Sequence, residues 1–287
     1  MARLDTLIIG AGGHGRVVLD ILMAGSAYRP IGFLDADPRL KETRVGGLDV
    51  LGGIHLLNKL KQQHQLRCAI IAIGDNRARA GYVQAVRDHG LELINAIHPS
   101  ASLSASATLG CNVVVAAHAT VCADARIGDL VIINTAAVVD HECEIGHAAH
   151  ICPGAKLAGR VRVGAGAFVG LGANVIQCLS IGDAAIIGAG AVVLSDVPSG
   201  ATAVGVPARI IKRMASDAGL HRSDEDSDHA RRHQTRQRPA GHRQEAESAQ
   251  VTAARGGNGA DPAHLDSDAG EVGEPAQGVS RQQSGAR

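Results

Sequence analysis

The sequence predicts a small α/β domain followed by a parallel β-helix. Three observations carry this reading. A glycine-rich turn joins an apolar strand to a helix near the start of the chain. An aliphatic residue recurs at every sixth position from Ile97 to Val193. Aromatic residues are almost absent, with two Phe, two Tyr and no Trp among 287 residues that include 36 Gly. A core made of Val, Ile, Leu and Ala must be narrow and regular, because the large side chains that fill wide cores are missing.

Composition also excludes several functions. With a formal net charge of zero and 1% aromatic residues, the chain has neither a basic footprint for nucleic acid nor stacking platforms for single strands. No run of 18 apolar residues is present, so no membrane insertion is expected. The opening Met-Ala-Arg-Leu-Asp lacks the parts of a signal peptide. Six cysteines without a CxxC pair read as reduced thiols, and a cytoplasmic location is expected. Cys143 takes a small interior slot of the repeat, and no cysteine is expected to act as a nucleophile.

Residues 1–96 read as an α/β domain. Thr6-Leu7-Ile8-Ile9 is a buried strand that enters Gly10-Ala11-Gly12-Gly13-His14-Gly15, and a helix follows from Arg16 to Leu22. Glycines there permit a tight turn and let backbone N–H groups approach a phosphate at the helix N-terminus. Asp35 ends the next strand, twenty residues after Gly15, which by spacing alone passes as a Rossmann-like dinucleotide fingerprint. A strand over 68–74 and a helix over 77–89 complete the domain.

Residues 97–212 carry the repeat. From Leu103 onward, each aliphatic residue is followed four positions later by a small or apolar one, such as Ala107, Val113 and Ala119. Neither a helical period of 3.6 nor a strand period of 2 produces this. A hexapeptide period implies stacked coils, with the aliphatic residue inside and the small one at a tight corner. Gly at 110, 128, 146, 164, 170, 182 and 188 is expected to supply the turn's unusual backbone angles. Three hexapeptides close one coil of 18 residues. Residues 213–287, rich in Ala, Arg, Gly, Gln, Ser and Asp, are expected to be a disordered tail without chemistry.

The reactive candidate is His141, two residues past an interior position and therefore at a prism edge, with Glu142 next to it. Side chains of adjacent residues diverge on a strand, but at a corner they can meet. The carboxylate would then hold one ring nitrogen and leave the other as a base. Imidazole, with a pKa near 6.5 when unperturbed, suits acyl transfer, which needs a base for the attacking group and donors for the oxyanion.

Ile8-Ile9-Gly10-Ala11-Gly12-Gly13-His14-Gly15, Phe33-Leu34-Asp35-Ala36-Asp37 and Ile73-Gly74-Asp75-Asn76, placed before a hexapeptide helix, resemble the bacterial sugar acyltransferases. These include the sialic acid O-acetyltransferase-like proteins and the UDP-4-amino-sugar N-acetyltransferases. The resemblance covers residues 5–212. It implies a left-handed β-helix, a homotrimer, and acetyl-CoA as co-substrate in the groove between neighbouring prisms, with no metal. It implies a nucleotide-sugar in the glycine loop, touched by Gly12, Gly13 and His14, with Asp35 and Ala36 at the nucleoside. It makes His141 the proton acceptor and Glu142 its partner. His150 then matches a histidine that contacts the acyl donor. Gly159 matches the glycine whose N–H faces the thioester carbonyl, and Leu171 would line the pantetheine groove. Gly205-Val206-Pro207-Ala208-Arg209 resembles the segment that closes over the CoA end, and Pro207, lacking a donor, is expected to end regular pairing.

The expected reaction is acetyl transfer to the amine of a nucleotide-activated amino-deoxy sugar. Transfer to a sugar hydroxyl, as in the sialic acid type, is the near alternative. A γ-carbonic-anhydrase-like metalloenzyme using histidines such as His118, His141, His147 and His150 is a different class, and a non-catalytic sugar-nucleotide scaffold is another.

Overall fold

A computed structural model describes residues 3–212 of the chain, and the stretch expected to be disordered lies outside the described residues. The first part runs β1 (Leu4–Ile9), α1 (Gly13–Ala24), β2 (Tyr28–Leu34), β3 (Arg44–Val45), β4 (Leu48–Gly52), α2 (Leu57–His64), β5 (Cys68–Ile71), α3 (Asn76–Gly81), α4 (Val83–Asp88) and β6 (Glu92–Leu93). Its sheet has the order β3-β4-β2-β1-β5-β6 and is parallel except between β3 and β4. Leu7, Ile8 and Ile9 of β1 and all four residues of β5 are buried, as expected of central parallel strands covered on both faces. Strand order reverses at β1, so the crevice beyond the carboxyl ends of β1 and β5 is the natural ligand site.

The helix expected over 77–89 is two helices. The Tyr82 N–H bonds back three residues to Arg79 and Gly81 precedes it, which tightens the turn and breaks the helix.

From Ala96 the chain winds as a left-handed β-helix of two-residue strands. Each strand pairs in parallel with the one 18 residues on, as Val114 with Ile132 and Thr120 with Val138. Three faces result. The first carries Val114–Val115, Ile132–Ile133, His150–Ile151 and Phe168–Val169. The second carries Val138–Val139 and Lys156–Leu157, and the third Arg126–Ile127, Glu144–Ile145 and Arg162–Val163. The second residue of each strand points inward, and Val115 through Val193 form one continuous aliphatic core with the small residues at the corners.

The corners correct the reading of the glycines. Positive φ recurs every six residues at Asn112, His118, Asp124, Leu130, Ala136, Glu142 and Ala148, and then Gly154 and Arg160. Gly146 and its equivalents lie elsewhere in the turn. A Cβ on Gly146 would sit 2.7 Å from the Ala165 nitrogen and 2.8 Å from the Gly164 carbonyl carbon. These glycines are required by the close stacking of successive coils, not by backbone angles.

The C-terminal end also departs from expectation. Thr202–Val204 pairs antiparallel with Arg209–Lys212, so pairing resumes beyond Pro207 as a terminal hairpin. The α/β part and the β-helix share a core. Val18, Ile21 and Leu22 of α1 cluster with Ala96, Val114, Ala116 and Ile132 of the first face.

Candidate active site

The glycine loop follows β1 because that strand must end in a turn sharp enough to bring α1 back onto the sheet. Gly10 has a φ of +110°, and a Cβ on Gly15 would strike the Gly10 carbonyl. Gly12 and Gly13 differ, since a Cβ on either meets nothing within 4 Å. Their bareness keeps open the space above the helix start rather than relieving a clash. No side chain caps α1 and its first turn holds no acid, so its N–H groups remain available to an anion.

A cavity of about 440 Å³ opens there. Gly12, Gly13, His14, Asp35 and Ala36 all line it, as does Gly74 of the Ile73–Asn76 segment, together with Ile54, Ala78 and Tyr82, which the sequence did not single out. Asp35 also has an internal task. One carboxylate oxygen accepts the Ala11 N–H at 2.7 Å and the other the Asp37 N–H at 2.9 Å, tying the glycine loop to the turn after β2.

His141 stands at the corner between the second and third faces. Glu142, at φ 56°, turns its side chain toward its neighbour, and Oε2 lies 3.0 Å from His141 Nδ1. The Asp140 carboxylate accepts the His141 N–H at 2.7 Å. Gly159 occupies the same corner one coil later. A Cβ there would come within 2.5 Å of the imidazole Cε1, so the ring rests against a surface that only glycine leaves free. Glu142 thus restrains Nδ1, leaving Nε2 as the nitrogen that can take a proton.

His150 lies elsewhere, on the first face. It is 8% exposed, packs edge-on to Phe168 with centroids 5.3 Å apart, and lies 6.4 Å from the His14 ring. The Asn134 carbonyl oxygen accepts the Thr135 N–H, so its amide nitrogen donates to His150 Nε2 at 3.1 Å. The proton of the neutral ring therefore sits on Nδ1, which faces the Gly74 main chain but has no acceptor in good hydrogen-bond geometry. His14 Nε2 is likewise buried without a partner. Burial, reinforced by the charges of His150 and Arg79, pushes His14 down to about 3, and burial with the Arg79 charge pushes His150 down to about 4 against an opposing main-chain interaction at Gly74. Both rings are neutral near pH 7.

Within one chain, then, the sequence-predicted residues form two groups. His14 lines the glycine-loop cavity with the His150 ring 6.4 Å behind it, whereas His141, Glu142 and Gly159 share a different corner. Leu171 is 58% exposed at a third place, the corner between the first and second faces. His118 lies on that same edge three coils earlier, and His147 at the corner between the third and first faces. Among the described residues no group of three His, Cys, Asp or Glu is placed to hold a metal ion. Burial raises the thiols of Cys143 to about 11 and Cys152 to about 12, which keeps them protonated.

Comparison with known proteins adds three neighbours. The PglD N-terminal domain family matches residues 5–86. PerB from Caulobacter crescentus, solved with CoA and GDP-perosamine, is 47% identical, with 72% of this chain and 96% of that chain covered and a TM-score of 0.68. Further structures of that perosamine N-acetyltransferase carry Asn or Ala in place of a histidine that is also numbered 141. The acetyltransferase domain of PglB from Neisseria gonorrhoeae FA1090, solved with acetyl coenzyme A, is 38% identical over 73% of this chain and 100% of that one, at a TM-score of 0.68. WeeI from Acinetobacter baumannii AYE is 27% identical over 72% and 100%, at 0.64. No curated protein sequence matches the chain.

Proposed function

Because the chain belongs to the acetyl-CoA-dependent sugar N-acetyltransferase family, we propose that it acetylates the amine of a nucleotide-linked amino-deoxy sugar, with His141 as general base. The observation that carries the mechanism is the His141–Glu142 contact at 3.0 Å above Gly159. The amine nitrogen attacks the thioester carbonyl while His141 Nε2 takes its proton. The developing imidazolium is stabilised by the Glu142 carboxylate on Nδ1. Collapse of the tetrahedral intermediate breaks the carbon–sulfur bond, and the same proton passes to the departing CoA sulfur. Donors facing the oxyanion, with the Gly159 N–H the candidate on this corner, stabilise the charge on the former carbonyl oxygen.

The nucleotide occupies the glycine-loop cavity, its phosphates at the start of α1 and its nucleoside along Asp35 and Ala36. His14 Nε2 and the His150 Nδ1–H, both buried and unpartnered, serve bound ligand atoms, with His150 offering its proton to an oxygen of the acyl donor. Leu171 lines the pantetheine path. Since the cavity and the His141 corner lie on different sides of one prism, the complete site forms between chains of a homotrimer. The exposed apolar Phe168, Ile186 and Leu171 would meet a neighbouring copy. In this reading residues 1–96 hold the nucleotide sugar and 97–212 perform the transfer. The cytoplasm, where acetyl-CoA and nucleotide sugars are made, is its compartment, and no described helix is long and apolar enough to cross a membrane.

The test is thiol release from acetyl-CoA with GDP-, UDP- and dTDP-linked amino sugars and with free sialic acid. Turnover on a nucleotide amino sugar is expected, with His141→Ala lowering kcat by about 10²- to 10⁴-fold while nucleotide affinity is kept. An alkali-stable amide product supports N-transfer. An alkali-labile ester would move the assignment to the O-acetyl alternative, and unchanged kcat in the variant would remove His141 from the role.

A further inference from the structure

Arg79 is the largest fully buried side chain of the described residues, at 0% exposure. All five of its N–H groups have acceptors and none is a carboxylate. Nη1 donates to the carbonyls of Ile73 at 2.8 Å and Gly74 at 3.2 Å, which line the nucleotide cavity. Nε donates to the Leu130 carbonyl at 2.8 Å, and Nη2 to the Ala148 carbonyl and to Asn76 Oδ1, each at 2.8 Å. Asn76 Nδ2 continues to the Gly166 carbonyl at 3.0 Å and that of Ala167 at 3.2 Å. One coil earlier, the Asn112 side chain exchanges two hydrogen bonds with the backbone of Ile71.

Asn112, Leu130, Ala148 and Gly166 are the same left-handed corner on four successive coils. The β5–α3 segment therefore grips the prism at one position per coil. Burying a cation against neutral acceptors is costly, and well-packed apolar residues would hold two parts together at lower expense. Such a seam fixes register.

We propose that Arg79 is a positioning residue for acetyl transfer, locking the Ile73–Gly74 wall of the nucleotide cavity to the coils that carry His150, an inference that rests on the transfer reading above. It touches no reacting atom. It acts by setting where the bound sugar lies relative to the acyl donor, an alignment in which a shift of about 1 Å can cost about 10²-fold in rate.

Arg79→Lys and Arg79→Gln separate this from a merely structural role. Calorimetry with GDP, UDP and CoA as probes measures binding, turnover measures kcat, and hydrogen exchange follows segments 68–79 and 128–150. Binding of each probe is expected within about threefold of the parent, with kcat lowered about 10- to 100-fold and faster exchange in both segments. Loss of nucleotide affinity in step with kcat would make Arg79 part of the cavity wall only. A lower melting temperature with unchanged kcat would make it structural only, and either result overturns the proposal. Should neither variant fold, Asn112→Ala weakens the same seam without removing a charge. It is expected to lower kcat about threefold or more at constant affinity, and unchanged kcat overturns the proposal. If the parent protein acetylates no nucleotide sugar, the transfer reading falls. Faster exchange in both segments of the variants would still support the register lock, and unchanged exchange would refute it.

Discussion

His14 and His150 make stability depend on pH. Burial holds their folded values at about 3 and about 4, while an unfolded histidine titrates near 6.5. Between those limits the unfolded chain binds protons that the folded chain does not. Stability is therefore full above about pH 6.5 and falls on acidification, by up to about 2 kcal/mol for each histidine at pH 5. Thermal melts at pH 7 and pH 5 should show the drop, and His150→Gln should remove up to about half of it. An identical drop in the variant would show that His150 is not the buried neutral group described. His141 was legible from sequence because adjacency to Glu142 is covalent and the repeat places both at a corner. Arg79 was not. Charged residues are rarely buried, and its acceptors are main-chain carbonyls whose positions exist only once the coils have stacked.

At the scale of elements, the hexapeptide period was readable because the side chains that fill a narrow prism must recur with the backbone itself. The role of the glycines was misread for a physical reason. Close coil stacking and left-handed backbone both demand glycine in a sequence, and only the coordinates separate them. Gly146→Ala and Gly154→Asn distinguish the two cases. The first places a Cβ against the backbone of the next coil and is expected to cost about 1–3 kcal/mol. The second keeps φ at +67° with open space around the new Cβ, as Asn112 does at φ 55°, and is expected to cost less than about 1 kcal/mol. Urea titration of both variants measures the contrast, and equal losses would contradict the stacking account. The tertiary details that escaped were those without periodicity, namely α2, β3, β4 and the break at Tyr82.

For the whole molecule, the separation of the His141 corner from the nucleotide cavity predicts complementation. His141→Ala alone lacks the base. Gly13→Asp alone places a carboxylate where the phosphates would bind, at a helix start that tolerates an acid. In the proposed homotrimer, random co-assembly should join an intact cavity to an intact corner at about a quarter of the junctions, so about a quarter of parental activity should return. No recovery in verified mixed oligomers would place the whole site within one chain. The same seam also constrains how the chain can change in length. A solenoid can ordinarily gain or lose a full 18-residue turn and still close its walls. Here, a turn excised between Asn112 and Gly166 would leave the prism whole yet slide the histidine-bearing strand past its partner loop. One added beyond Ala167 would leave that alignment untouched. The fold's tolerance for insertion is thus unequal along its axis, greatest toward the carboxyl end and least where the two parts are stitched together.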